Sequence, residues 1–172
     1  MRDIWLISDT HFNHSNVLNF TDIHGNLIRG QFKDIKEMNE YICDNWQDTV
    51  KDGDIVYHLG DVWFGSAAEG AKIIKKLNGR KRLIVGNHDQ IIDVVKTGAF
   101  KKIQTWRVFA EFGVILSHIP LHPNNLHLMR YQNVMTNIHG HIHQNPSPDP
   151  RYKNVSVEAI NYTPINLQEL IK

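Results

Sequence analysis

The hydrophobic pattern alternates between short apolar runs and longer amphipathic segments in the first half of the chain. Residues 4–8, 54–58 and 82–85 are short and rich in β-branched or aromatic side chains, which is typical of buried strands. Over residues 35–46 and 71–77, apolar side chains recur at three- and four-residue spacing, which predicts helices packed by one face. This alternation of strand and helix predicts an α/β domain with parallel strands.

Polar residues indicate where two of these helices begin. Asp34 precedes Glu37 by three positions, and Ser66 precedes Glu69 by three positions. This spacing is the capping box, in which a side-chain oxygen accepts a hydrogen bond from a free backbone N–H of the first turn. Gly79 is expected to end the second helix, because glycine readily adopts the left-handed conformation that follows many helices.

The second half of the chain contains more strands and fewer helices. Residues 105–111 and 113–118 predict a hairpin, and residues 134–138 and 155–160 predict two later strands. A terminal helix is expected to start within residues 163–169. Strand–helix–strand units give parallel strand pairs, whereas a hairpin gives an antiparallel pair. We therefore predict that the sheet structure is mixed.

Composition narrows the class of protein. The 172 residues are enough for one domain with its own core, and no apolar run approaches the roughly 18 residues of a membrane span. Cys43 is the only cysteine, so disulfides are excluded and a cytoplasmic location is expected. The formal net charge of +1 gives no argument for a polyanionic partner, and the oligomeric state stays open.

Five short motifs rich in histidine and aspartate follow predicted strands or turns. They are Ser8-Asp9-Thr10-His11, Gly60-Asp61, Gly86-Asn87-His88-Asp89, Ser117-His118-Ile119-Pro120 and Gly140-His141-Ile142-His143. Residues two apart on a strand share a face, so Asp9 and His11 are expected to reach one ion, as are His141 and His143. One such motif is a weak signal. Five together predict a site for transition metals.

These motifs resemble, in order and content, those of the calcineurin-like metallophosphoesterase superfamily: D-x-H, G-D, G-N-H-D/E, H and G-H-x-H. The likeness spans nearly the whole chain, which looks most like the small bacterial and phage members. It implies a four-layer α/β/β/α sandwich with two mixed sheets, formed by residues 1–172 as one domain without a cap domain. Val62-Trp63-Phe64 follows Asp61, where some members carry a substrate-binding arginine, so the analogy to large protein phosphatases is weak.

The resemblance also implies a ligand set for two divalent ions. One ion would be held by Asp9, His11, His143 and Asp61. The other would share Asp61 as a bridge and add Asn87, His118 and His141. Mixed oxygen and imidazole ligands suit Mn, Fe, Zn or Ni better than Ca or Mg, and we expect Mn foremost.

Two further residues of the motifs, His88 and Asp89, are expected to act in catalysis. A hydroxide bridging the two ions would attack phosphorus. His88 is the candidate general acid that protonates the leaving group, and Asp89 would hold its ring. The alternative for Asp89 is a capping role at a helix N-terminus.

Other side chains are candidates for contact with the substrate. His14, in the polar loop 12–33, and His122 are each expected either to contact substrate or to be plain loop residues. His139 is expected to hydrogen-bond a metal-bound imidazole. Trp63 and Phe64 are candidates for a wall against an aromatic part of the substrate.

We therefore predict metal-dependent hydrolysis of a phosphodiester. The substrate is expected to be a small, nucleotide-derived phosphoester, with nucleic acid entering only as substrate and no membrane partner. Phosphomonoesterase and nucleotide pyrophosphohydrolase activities remain open. An alternative of another class is a metal-poor scaffold that binds a protein partner; it would predict missing ligands, whereas all seven are present.

Overall fold

The computed structural model describes residues 2–128, 134–147 and 149–171, within which nine strands form two sheets. The strands are β1 (Ile4–Ile7), β2 (Ile55–His58), β3 (Arg80–Ile84), β4 (Lys102–Gln104), β5 (Trp106–Phe109), β6 (Val114–Ser117), β7 (Thr136–His139), β8 (Tyr152–Asn154) and β9 (Ile165–Asn166). The first sheet has the order β4-β3-β2-β1-β9, and the second has the order β5-β6-β7-β8. Strands β9 and β5 are antiparallel to their neighbours, while the other pairs are parallel, so both sheets are mixed as predicted.

In the part of the chain that the structure describes, five α-helices cover the outer faces and the chain end. They are α1 (Ile35–Thr49), α2 (Ala67–Lys76), α3 (Ile91–Thr97), α4 (Pro123–Leu128) and α5 (Leu167–Leu170). Short 3₁₀ turns lie at Ser15–Asn19 and Ala110–Phe112. Among the described residues, no helix has the length and apolar character needed to cross a membrane.

Three groups of buried side chains define the layers. One lies between the first sheet and helices α1 to α3, and its fully buried members include Trp46, Ile74 and Val56. A second lies between the two sheets and includes Leu6 and Leu116. A third, smaller group joins the outer face of the second sheet to α4. This arrangement confirms the four-layer α/β/β/α sandwich.

The local signals at the helix starts are confirmed. Asp34 accepts a hydrogen bond from the Glu37 N–H at 2.8 Å, and Ser66 accepts one from the Glu69 N–H at 3.4 Å. Helix α2 ends at Lys76, before Gly79, which has a φ of +85°. The antiparallel pair of β5 and β6 confirms the hairpin.

The strand predicted over residues 155–160 is wrong. Strand β8 ends at Asn154, and the chain then turns, with the Ala159 and Ile160 N–H groups donating to carbonyls three residues earlier. Its apolar residues are buried in two different core groups, Val155 between the sheets and Val157 beneath the helices. The apolar pattern therefore reflects burial rather than strand structure.

Candidate metal centre

The five motifs meet at one end of the two sheets. They follow β1, β2, β3, β6 and β7, each at the carboxyl end of its strand. Because β1, β2 and β3 are parallel neighbours, and β6 and β7 are too, the loops after them lie side by side. Ligand sites of α/β proteins commonly lie at such carboxyl ends.

Most of the predicted ligands have a left-handed backbone. The φ angles are 57° at Asp9, 49° at His11, 55° at Asp61, 71° at His141 and 51° at His143. Non-glycine residues in this region cost roughly 1–3 kcal/mol each and concentrate at functional sites. Strand β1 ends at Ile7 and β7 ends at His139, so the expectation that strand alternation pairs these side chains is wrong. Turns in the left-handed region, beyond the strands, bring them together.

Backbone contacts lock these loops against each other. The N–H groups of Asp9 and His11 donate to the carbonyls of Gly60 and Asp61 at 3.0 and 3.1 Å. Gly60 has a φ of 100°, and a Cβ placed there would lie 2.5 Å from the backbone of Gly86. The close approach of the loops after β2 and β3 therefore requires glycine.

All the predicted metal ligands lie in two adjacent groups. Ligand atoms of Asp9, His11 and His143 lie within 4.8 Å of one another, and so do those of Asp61, His118 and His141. Asp61 Oδ2 is 3.9 Å from His11 Nε2 and 3.4 Å from His118 Nε2, so it faces both groups. The remaining predicted ligand is Asn87, whose Oδ1 lies 2.8 Å from His118 Nε2, within the second group.

Hydrogen bonds orient the rings so that one nitrogen stays available. His118 Nδ1–H donates to the Leu59 carbonyl at 2.7 Å, which leaves Nε2 for the site. His143 Nδ1 is 2.9 Å from the Glu158 carboxylate, which likewise leaves Nε2. Asp9 Oδ2 accepts from the Ser156 hydroxyl, while Asp9 Oδ1 stays available. Partners of this kind fix the tautomer of metal-binding histidines.

Buried atoms without partners support the same interpretation. Within the described residues, Asp9 Oδ1 and both ring nitrogens of His11 are buried and make no hydrogen bond. Each such atom costs roughly 1–3 kcal/mol unless something satisfies it. Carboxylate, carboxamide and imidazole donors in two groups fit two divalent transition-metal ions.

The electrostatics leave His11 and Asp61 in the protonation state that metal binding requires. Burial, with the nearby Arg29 guanidinium, lowers the pKa of His11 to about 2, so its ring is neutral. Burial opposes ionisation of Asp61, but hydrogen bonding and charge from His118 outweigh it and lower the pKa of Asp61 to about 2. Burial raises the pKa of Asp9, and a bound cation would counter that effect.

Sequence reasoning missed a buried ion pair behind the site. Arg29 is fully buried, donates to the Asp9 and Thr10 carbonyls at 2.7 and 3.2 Å, and lies 2.7 Å from Glu158. Glu158 in turn holds His143. No sequence signal pointed to Arg29, which lies in an irregular loop, and Glu158 lies in the segment wrongly predicted as a strand.

His88 lies beside the two groups of predicted ligands. It is exposed, and its ring centre lies 6.2 Å from that of His11 and 5.3 Å from that of Phe64. Its backbone N–H donates to Asp61 Oδ1 at 2.9 Å. The ring is therefore next to the ligands without being a member of either ligand group.

The role predicted for Asp89 is wrong in both versions. Its carboxylate accepts hydrogen bonds from the backbone N–H groups of Asp61, Val62 and Gly86, at 2.8 to 3.1 Å. It therefore holds the loop after β2 to the loop after β3, rather than the His88 ring or the N-terminus of α3. The reason is geometric, because those loop N–H groups converge on its two oxygens.

Of the three other histidines that were predicted near the site, His14 lies beside a ligand group, whereas His122 and His139 do not. His14 stacks on Phe64 at 3.8 Å and lies 5.5 Å from His11, beside the first ligand group. His122 is exposed ahead of α4, and its Nδ1 accepts from the Asn124 N–H, so the structure places it outside both ligand groups. His139 is buried and bonds the Gly140 carbonyl and Ser147 hydroxyl; it holds a loop rather than a ligand ring.

Two cavities border the site. One, of about 490 Å³, borders the second ligand group through Asn87 and His118. The other, of about 250 Å³, is lined by Phe64 and His88, whose ring centres lie 5.2 and 6.2 Å from that of His11 in the first ligand group. Trp63 also borders the smaller cavity, but its ring packs against Gly70 and Phe100 and is only 8% exposed, so it belongs mainly to the core rather than to a substrate wall.

Comparison with known proteins identifies the family. A sequence model described as "Calcineurin-like phosphoesterase" matches residues 2–116, which contain the first three of the five motifs and extend into β6. The chain belongs to the calcineurin-like phosphoesterase family. Together with the two ligand groups, this membership makes the protein a metal-dependent phosphoesterase.

Relatives of this phosphoesterase cover nearly its full length. An uncharacterized protein of Methanocaldococcus jannaschii is 34% identical over the whole chain and 91% of its own length. The Gene 66 protein of Mycobacterium phage D29 is 24% identical over 92% of the chain and 89% of its own length. A crystal structure of a protein of unknown function from Aquifex aeolicus is 28% identical, with a TM-score of 0.78 over 99% of this chain and 98% of that one.

Proposed function

We propose that this phosphoesterase hydrolyses phosphodiesters at a dinuclear centre, with Mn²⁺ as the preferred ion. The observation that carries the proposal is the position of Asp61, whose Oδ2 faces both ligand groups. One carboxylate can then bridge two cations, each completed by its own group. Bound divalent ions supply Lewis acidity toward phosphate oxygens and lower the pKa of water from about 15.7 toward about 7.

The protein's own residues then have separate roles. His88 is exposed beside the first ligand group, where it can donate a proton to a leaving alkoxide. His14 lies on the same side and is proposed to contact the substrate. Asp89 and Arg29 hold the loops that carry the ligands, so they position the site without touching substrate.

The two cavities favour a diester over a monoester. A diester carries two substituents on phosphorus. One cavity is lined by Asn87 and His118 of the second ligand group, and the other by Phe64 and His88, which lie beside His11 of the first. A monoester would use only one of them. Monoesterase and pyrophosphohydrolase activities are therefore tested as alternatives. A scaffold that binds no metal would have no use for the buried, unpaired atoms of Asp9 and His11 at its centre.

Metal content and ester preference test the proposal directly. The protein is stripped with a chelator, reloaded separately with Mn²⁺, Fe²⁺, Zn²⁺ or Ni²⁺, and the bound ions are counted by mass spectrometry. Each form is then assayed with bis(p-nitrophenyl) phosphate and p-nitrophenyl phosphate. We expect two ions per chain, the highest kcat/KM with Mn²⁺, and a higher kcat/KM for the diester.

Other outcomes identify the alternatives. A higher kcat/KM for the monoester would replace diesterase by monoesterase activity, and turnover of a dinucleoside polyphosphate alone would indicate a pyrophosphohydrolase. One ion per chain with full activity would overturn the dinuclear centre. No bound transition metal and no turnover would favour the scaffold.

A further inference from the structure

The larger of these two cavities is walled mainly by residues that are not predicted metal ligands. Its apolar side chains come from the loop after β3, from the first residue of β5, from β6 and from the loop that follows β6; they are Val85, Trp106, Ile115, Ile119 and Leu121. Its inner edge is formed by Asn87 and His118, which belong to the second ligand group. A phosphoryl group at the metal centre would therefore carry one substituent into this cavity.

Trp106 is placed unlike the other tryptophans. Trp46 is fully buried, Trp63 is 8% exposed and Trp5 is half-buried, whereas Trp106 is 57% exposed at the cavity wall. Ile119, on the same cavity, is 49% exposed. Large apolar side chains exposed together beside a reaction centre mark a surface that binds a ligand.

The polar groups of the cavity lie at its edge. Thr105 and Asn125 are exposed and carry hydrogen-bond donors and acceptors. The Ser117 hydroxyl, in contrast, already donates to the Ile119 carbonyl and accepts from the Asn137 side chain. The cavity therefore suits a ligand with apolar faces and polar edges.

Charge and volume limit the size of that ligand. None of the described residues lining the cavity is Lys or Arg, so a run of backbone phosphates would not be neutralised there. A volume of about 490 Å³ lies within the range of small-molecule sites, roughly 300–1,000 Å³. A single nucleoside fits these requirements, and a longer nucleic acid does not.

We propose that this cavity is a nucleoside site, in which the base stacks on Trp106 and the phosphodiester is presented to the metal centre. The proposal rests on the proposed phosphodiesterase function and specifies its substrate as a nucleoside phosphodiester. Stacking on an aromatic side chain tolerates any base, and its removal typically costs about tenfold or more in binding.

A pair of esters with the same leaving group tests it. The p-nitrophenyl ester of thymidine 5′-phosphate and methyl p-nitrophenyl phosphate both release p-nitrophenolate, so they differ only in the retained substituent. We expect the KM of the Mn²⁺-loaded enzyme to be about tenfold lower for the nucleoside ester. Trp106→Ala should remove this difference, and Trp106→Phe should restore most of it.

A matched control and a second readout separate stacking from structure. Ile92→Ala removes another exposed apolar side chain, 71% exposed on α3 and not among the cavity-lining residues, and should leave both KM values unchanged. Thymidine alone should quench the tryptophan fluorescence of the metal-free protein, and Trp106→Phe should abolish that quenching. The second measurement does not depend on activity.

The two proposals fail in different ways. Equal KM values for the two esters, with no thymidine quenching, would overturn the nucleoside site while hydrolysis itself upheld the phosphodiesterase. Quenching at Trp106 without turnover of either ester would uphold the nucleoside site and refute the phosphodiesterase.

Discussion

The Glu158 carboxylate lies 2.9 Å from Nδ1 of His143 and contacts the buried Arg29 guanidinium through the same oxygen. This contact aims His143 Nε2 at the first ligand group and ties it to the segment that carries Asp9. One buried ion pair therefore positions ligands from opposite ends of the chain. Outer partners of this kind orient metal-binding histidines and raise their basicity.

Glu158→Gln should weaken binding at the first ligand group. The amide keeps the size of the side chain but loses the charge that pairs with His143 and Arg29, so we expect roughly 10–100-fold lower affinity for one ion. Chelator competition with Mn²⁺ measures this affinity. Glu169→Gln changes an exposed glutamate and is the control. Unchanged affinity for both ions would show that Glu158 does not position His143.

Asp61→Asn should abolish binding of the metal pair. A bridge between two dications requires negative charge, whereas the amide can still accept the hydrogen bond from the His88 N–H. Metal content by mass spectrometry should fall from two ions to one or none. Asp93→Asn, at an exposed position on α3, should retain both ions. Retention of both ions by Asp61→Asn would refute the bridging role.

His88→Ala should keep both ions and lower kcat. Loss of a general acid costs roughly 10²–10⁴-fold, and the loss should be greater for a poor leaving group. The assay compares thymidylyl-thymidine, which releases an alkoxide, with the p-nitrophenyl ester of thymidine 5′-phosphate. His24→Ala alters an exposed loop histidine and should have no effect. An equal loss for both substrates would argue against proton donation by His88.

Gly140→Ala should disrupt the first ligand group. A Cβ at Gly140 would collide with the Ser8 side chain and the Asp9 carboxylate, so the loops must separate. Overpacking of this kind costs roughly 1–3 kcal/mol, which urea denaturation can measure. A Cβ at Gly53 meets nothing within 4 Å, so Gly53→Ala is the matched control. Equal stability and metal content in both variants would contradict the close approach of Gly140 to Ser8 and Asp9.

Cys43 should react slowly with alkylating reagents. Burial and the neighbouring charges of Asp44 and Glu40 raise the pKa of its thiol to about 11 from the model-compound value of 9.0. The reactive thiolate is therefore scarce below pH 9, and its fraction should reach half of its maximum at about pH 11. The rate of iodoacetamide reaction against pH checks this. The rate for the urea-unfolded chain should reach half of its maximum near pH 9, and a folded-state profile that matched it would contradict the raised pKa.

Much of the site could be predicted because its chemistry lies in short motifs. The predicted ligands Asp9, Asp61 and His118 each closely follow a strand, and parallel strands bring their carboxyl ends together. The helix starts could also be predicted from the sequence, because Asp34 accepts a hydrogen bond from a backbone N–H only three residues away. Both kinds of signal depend on neighbours in sequence.

The sequence by itself determined the α/β class through its periodicity and the family through its local motifs, and the resemblance to that family implied the sandwich fold and the predicted ligands. Only the tertiary structure decided how the ligands are held. Arg29 and Glu158 are separated by 129 residues, and Asp89 reaches the Asp61 N–H across 28. Contacts over such distances leave no periodic trace, because burial and backbone approach create them after the sheets have formed.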